Sequence, residues 1–129
     1  MEKQNKELFI KINLEKSEEA MRIAEYSICD KAFTTALNRI YYGMFYVVTA
    51  LARKHEFITS KHSTLKGWFN KKFVNEDKIV EPALYRIYNT AFENRQESDY
   101  DDLYKSNEEF VKSLLSEAKK FIEQVSKII

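Results

Sequence analysis

The segment KAFTTALNRIYYGMFYVVTALARKH, residues 31–55, has the spacing of one long helix. Its centre, ALNRIYYGMF (36–45), nevertheless holds an Asn-Arg pair, two adjacent tyrosines and a glycine. On a helix the segment divides into three stripes. Phe33, Leu37, Tyr41, Met44, Phe45, Val48 and Leu51 make a broad core face. Beside it Ala36, Gly43 and Ala50 recur every seven residues and would let another helix come close. Gly43 costs about 1 kcal/mol against Ala, which such a crossing would offset. The third stripe, Thr35, Asn38, Arg39, Tyr42, Tyr46, Thr49 and Arg53, is polar and aromatic. It fits a solvated face, a dimer surface with tyrosines at its rim, or a cleft. In the cleft reading Asn38, Arg39 and Tyr42 bind an anionic group, arginine being suited to bidentate phosphate contacts.

The same helical period runs through most of the chain, with no linker, low-complexity tract or repeat to interrupt it. It predicts a first helix over about Asn5–Ile28, with Leu14, Met21, Ala24 and Ile28 inward. Asp30 is then the expected N-cap of the second helix, Lys31–His55. A shorter piece after ITSKHS buries Leu65, Trp68, Phe69 and Phe73. The fourth helix is expected from about Lys78 to Arg95, with Pro82 tolerated in its first turn. The fifth opens on SNEE, where Ser106 and Glu109 have capping-box spacing, and holds its apolar period from Phe110 to Ile128. Four long amphipathic helices with short connections pack as an antiparallel bundle, the short third helix covering one end.

Composition supports an all-α chain. Two glycines and one proline are too few for the turns of a sandwich or barrel. At 129 residues the expectation is one domain, 1–129. A net charge of +1 gives no broad field for nucleic acid, so any such contact must be local. The single Cys29 and the absence of a leader-like opening suggest a reducing cytoplasm. The longest apolar run, Tyr41–Ala52, is too short to span a bilayer. Neither His55 nor His62 has a second His or Cys at ligand spacing, and no phosphate loop or nucleophile elbow occurs, so no metal or cofactor is expected.

A second constellation is ENRQESDYDD, residues 93–102. Read as following a helix C-terminus, its carboxylates sit at the negative end of the dipole, which is unfavourable unless they pair. Arg95 is either the ion-pair anchor of a capping turn or one wall of the cleft, with Asp99 and Tyr100 beside it. An Arg39–Asp99 ion pair, within a subunit or across a dimer, is the corresponding structural expectation.

ALNRIYYGMF, then KHS, then NRQESDY, then a long helix ending EAKKFIEQV, together resemble the HEPN domains of prokaryotes. The similarity runs from about residue 14 to 125, and is closest to the small stand-alone branch with Arg-Tyr-Tyr in helix two and Arg-Asp-Tyr after helix four. The resemblance implies a helical bundle that dimerises, often paired with a minimal nucleotidyltransferase in toxin-antitoxin systems. It also implies a metal-independent ribonuclease motif of an arginine, a polar residue and, four to six residues on, a histidine. Arg95 and Gln96 match its start; the histidine position falls on Tyr100, Asp101 or Asp102.

That departure bears on mechanism. In such cleavage a base takes the proton of the attacking 2'-hydroxyl, while a cation stabilises the crowded phosphate. Arg95 suits the second task. Tyr100 is a poor base, since a phenol of pKa about 10 is about one part in a thousand ionised at neutral pH, and Asp99 is weakly basic unless buried. A missing base costs about 10²- to 10⁴-fold, which leaves room only for slow cleavage. His62, in the SKHS turn, could supply the imidazole or bind phosphate. The resulting expectation is a HEPN-type protein of toxin-antitoxin or defence character that binds RNA, with cleavage left open. Its alternatives are a non-enzymatic helical module partnering a nucleotidyltransferase and a nucleotide-binding regulatory domain.

Overall fold

A computed structural model of the protein describes residues 2–100 and 107–129, with side chains for 2–95 and 107–129. The architecture is all-α: α1 Glu2–Cys29, α2 Phe33–Lys54, α3 His62–Phe69, α4 Pro82–Tyr100 and α5 Glu108–Ser126. A seven-residue π-helical extension, Asn70–Glu76, continues α3. It is wound wider than the single α-helix expected there, and both Phe73 and Val74 are buried.

Helix α2 is the hub, packing against α1, α3, α4 and α5. Of the predicted core face Leu37, Tyr41, Met44, Val48 and Leu51 are buried and Phe33 and Phe45 are partly so, while Ile40 and Val47, not assigned to that face, are buried as well. Gly43 of the small stripe lies between α1 and α5. A Cβ built on Gly43 would stand 2.5 Å from Sδ of Met21 and 3.4 Å from Cδ1 of Ile122, so the Met21 side chain occupies the notch that the glycine leaves. The Ser17 hydroxyl donates to the Gly43 carbonyl at 2.6 Å, which lets a polar α1 residue be buried at the crossing.

Three corners stop helices without glycine. Lys31, Glu56 and Lys78 have φ of 60°, 60° and 53°, the left-handed region. At the first corner Lys31 N–H donates to Ile28 O at 3.0 Å and Ala32 N–H to Ser27 O at 2.7 Å. At the second, Glu56 N–H donates to Arg53 O at 3.0 Å and Phe57 N–H to Ala52 O at 2.8 Å. Both are Schellman motifs, which satisfy the carbonyls a helix end leaves unpaired. Asp30 therefore belongs to the end of α1, and the N-cap of α2 is Ala32, with no side-chain capping bond. The cap expected of Asp30 fails because the left-handed Lys31 turns the chain first.

Two other boundaries differ from expectation. Helix α4 begins at Pro82, whose missing N–H costs nothing at a first position, and runs beyond Arg95 to Tyr100. Helix α5 is capped by Asn107, whose Oδ1 accepts from Phe110 N–H at 3.1 Å. The cap is thus one residue on from the expected Ser106, and with Phe110 in the third position it is a single bond and not a capping box; Ser106 itself lies outside the described residues. The apolar stripe of α5 is as expected, with Val111, Leu114, Ala118, Phe121 and Val125 buried.

Gly43→Val should lower unfolding free energy by about 1–3 kcal/mol through overpacking. Met21→Ala in the same background should cost less than it does in the parent, because it vacates the volume the new methyls need. A denaturant double-mutant cycle measures this, and strict additivity would show that Gly43 is not a contact point. Lys31→Gly should raise stability by about 1 kcal/mol, since a side chain in the left-handed region is disfavoured by about that much. An unchanged or lowered midpoint would count against the corner.

Candidate functional site

The site lies where the start of α3 meets the middle of α2 and the second half of α4. Tyr41, on the buried face of α2, is 0% exposed, and its hydroxyl is 2.8 Å from Nδ1 of His62. His62 is the first residue of α3 and only partly exposed. Its ring stacks on Phe45 with centroids 4.2 Å apart and planes at 14°, and meets the edge of Tyr42 at 5.7 Å. These contacts fix the imidazole on three sides.

Two guanidinium groups converge on the same aromatic step. Arg39 lies over the Tyr42 ring at 4.9 Å, held there by Nε and Nη2 donating to Asn38 Oδ1 at 3.0 and 2.8 Å. Arg95, from α4, lies 4.7 Å from the centroid of Tyr41 and 5.9 Å from that of Tyr42. The spacing of four between Asn38 and Tyr42 puts both on one face of α2, and Arg39 swings across to join them.

The electrostatics follow from burial. Desolvation holds the His62 pKa below the usual histidine range, and the Arg95 charge lowers it further, so the imidazole is neutral at pH 7. Burial raises Tyr41 far above the usual phenol range, a shift that Arg95 opposes. Tyr88 on α4 is 0% exposed, and burial raises it well above the usual phenol range too. Neither phenol ionises near neutrality, so each acts only as a neutral hydroxyl.

Of the residues singled out in the sequence, Asn38, Arg39, Tyr42, His62 and Arg95 are brought together. The side chains of Asp99 and Tyr100, like residues 101 and 102, lie outside the described residues, and with them the expected Arg39–Asp99 ion pair. The far end of the polar stripe does not join the site: Arg53 packs over Phe9 of α1 at 4.4 Å, and Thr49 donates to the Phe45 carbonyl at 2.8 Å. Those residues support the α1–α2 seam.

Sequence reasoning missed two members. Tyr41 reads as a core residue alone, and nothing local marks its bond to a residue 21 positions away. Lys66, one turn beyond His62, lies over Phe92 at 4.5 Å and donates to Asn89 Oδ1, while Asn89 Nδ2 donates to Glu93 Oε1 at 3.2 Å. Burial lowers the Lys66 pKa, an effect Glu93 opposes. Its i+4 spacing from His62 was the available signal. Among the described residues no three His, Cys, Asp or Glu side chains cluster as metal ligands would, and no helix is long and apolar enough to cross a membrane.

Comparison with known proteins places these residues in a family. The HEPN domain model matches residues 10–128. A protein of Thermotoga maritima named "UPF0332 protein" is 35% identical over 96% of this chain and 93% of its own length. Two proteins of Methanocaldococcus jannaschii, each bearing the name "Putative toxin", are 30% identical over 90% of this chain, and over 78% and 85% of their own lengths. The match spans α2, the start of α3 and the second half of α4, the three places from which the site is built: the chain belongs to the HEPN domain family.

Proposed function

We propose that the protein is a toxin-like HEPN protein that binds single-stranded RNA through its phosphates at the cleft between α2, α3 and α4. The observation that carries this reading is the convergence of Arg39 and Arg95 on Tyr42 beside His62. Guanidinium groups offer paired N–H donors that match phosphate oxygens, and a neighbouring aromatic face lets an unpaired base stack. The near-neutral overall charge makes such binding local.

The names of the two archaeal relatives support the toxin-like character. On this reading the protein works in the cytoplasm as a homodimer, and a nucleotidyltransferase is the class of partner that would hold it in check. Cleavage would proceed by attack of the 2'-hydroxyl, losing its proton, on the adjacent phosphate; a 2',3'-cyclic phosphate forms as the bond to the 5'-oxygen breaks and that oxygen leaves with a proton, while Arg95 stabilises the charge that builds on the phosphate oxygens. Asp99 and Tyr100 remain the residues proposed to share that step.

Arg95→Ala should weaken binding of a mixed-sequence RNA oligonucleotide about tenfold, the scale of one lost charge-assisted contact. It should also flatten the dependence of log affinity on log salt by about 0.7, one phosphate's share on a single strand. Anisotropy titrations over a salt series read both. An affinity and slope equal to the parent's would remove the cleft from consideration.

The neutral His62 also predicts how stability varies with pH. Its folded pKa is depressed below the unfolded value of about 6.5, so the unfolded chain takes up the proton first. Stability is therefore complete above about pH 6.5 and is lost as pH falls from there through the folded pKa. His62→Gln should be less stable than the parent at about pH 7.5, with the gap closing by about pH 5.5. His55, also depressed by burial, leaves a residual slope of the same sign. Melting curves at the two pH values decide it, and a constant gap would mean that His62 protonates as freely folded as unfolded.

A further inference from the structure

Behind His62 stand two phenols where two phenylalanines would fill the same space. Tyr41 and Tyr88 are both fully buried, their rings stacked at 6.2 Å with planes 18° apart. Each brings a hydroxyl that must find a partner away from water. Tyr41 has His62 Nδ1. The Tyr88 hydroxyl is buried with no hydrogen-bond partner among the described residues, and the phenol stacked beside it is that of Tyr41.

We propose that these hydroxyls form a relay, Tyr88 to Tyr41 to His62, that holds the imidazole with its proton on Nε2, so that His62 and Arg95 together offer N–H donors to an anionic phosphate oxygen. The direction is set at the buried end. A hydroxyl proton with no acceptor forfeits its full desolvation cost, so Tyr88 turns its proton toward the Tyr41 oxygen. Tyr41, already accepting, sends its own proton to the lone pair of Nδ1. A neutral imidazole has one proton, and it is left on Nε2. Among the described residues no protein group takes Nε2, while the stacking on Phe45 prevents the ring from turning away.

The consequence is chemical. With Nε2 protonated, His62 has no lone pair with which to take the 2'-hydroxyl proton. It is a donor beside Arg95, part of a phosphate subsite, and not a substitute for the histidine missing from the arginine motif. Tyr41 and Tyr88 are positioning residues, acting through His62. That the anion is an RNA phosphate rests on the function proposed above; the tautomer does not.

Two-bond ¹⁵N–¹H correlation spectra of histidine-labelled protein at neutral pH test this directly. The chain has only two histidines, and His62→Gln assigns the signals. The expected pattern for His62 is an unprotonated Nδ1 and a protonated Nε2 in the parent, relaxing to a tautomer mixture in Tyr41→Phe. In Tyr88→Phe, which keeps the Tyr41 hydroxyl, the population should move toward protonated Nδ1. Protonated Nδ1 in the parent would overturn the relay, as would a pattern unmoved in Tyr88→Phe, the variant that decides the matter should Tyr41→Phe not fold. A single-stranded RNA oligonucleotide added to the parent should shift His62 Nε2 selectively. Binding without that shift would overturn the subsite, whereas no binding at all would refute the proposed function and leave the tautomer result standing.

Discussion

The contact of Met21 with the notch at Gly43 sets how closely α1 approaches α2, and the remaining helices are arranged around the pair. Because α1 occupies one side of α2 at that separation, and α4 and α5 take others, little of α2's surface is left for polar groups. Asn38, Arg39 and Tyr42 lie on the part that remains partly open. The same constraint fixes Tyr41 facing inward, toward α4, one position from a residue that faces the cleft. Adjacent tyrosines on a helix point about 100° apart, so one becomes the floor of the site and the other its wall.

Aromatic packing then joins core and site without a boundary. Phe121 of α5 and Phe69 of α3 contact Tyr88, Tyr88 stacks on Tyr41, and Tyr41 reaches both His62 and Arg95. A group held this way is positioned by the most buried part of the molecule, the condition under which donors keep their aim when a ligand arrives. Loss of packing at Phe121 would therefore be felt at the cleft, although that residue touches no part of it.

Much of this was legible in the chain. The period of α5, the core face of α2 and the small stripe at Gly43 are local patterns, and each has the burial those patterns imply. The corners were less legible, because the usual sign of a helix stop is glycine and here it is Lys31, Glu56 or Lys78 in the left-handed region. Without that sign Asp30 reads as a cap for the helix ahead when it belongs to the one behind. Arg95 looked terminal because acidic residues follow it, yet α4 carries on to Tyr100. The Tyr41–His62 bond is a product of tertiary packing alone, and a tyrosine on a core face gives no hint that its hydroxyl has work.

The left-handed corner between α1 and α2 has an implication for how firmly the two helices must pack. Lys31 has no intrinsic preference for the left-handed turn it occupies, and the two Schellman bonds together with the packing of α1 on α2 hold it there. Straightened, the segment from α1 through α2 would read as one continuous helix, with no glycine before Gly43 to discourage it. Such a corner is maintained in part from outside itself, so a substitution that loosens Met21 or Ser17 against α2 weakens the turn at Lys31 without touching it.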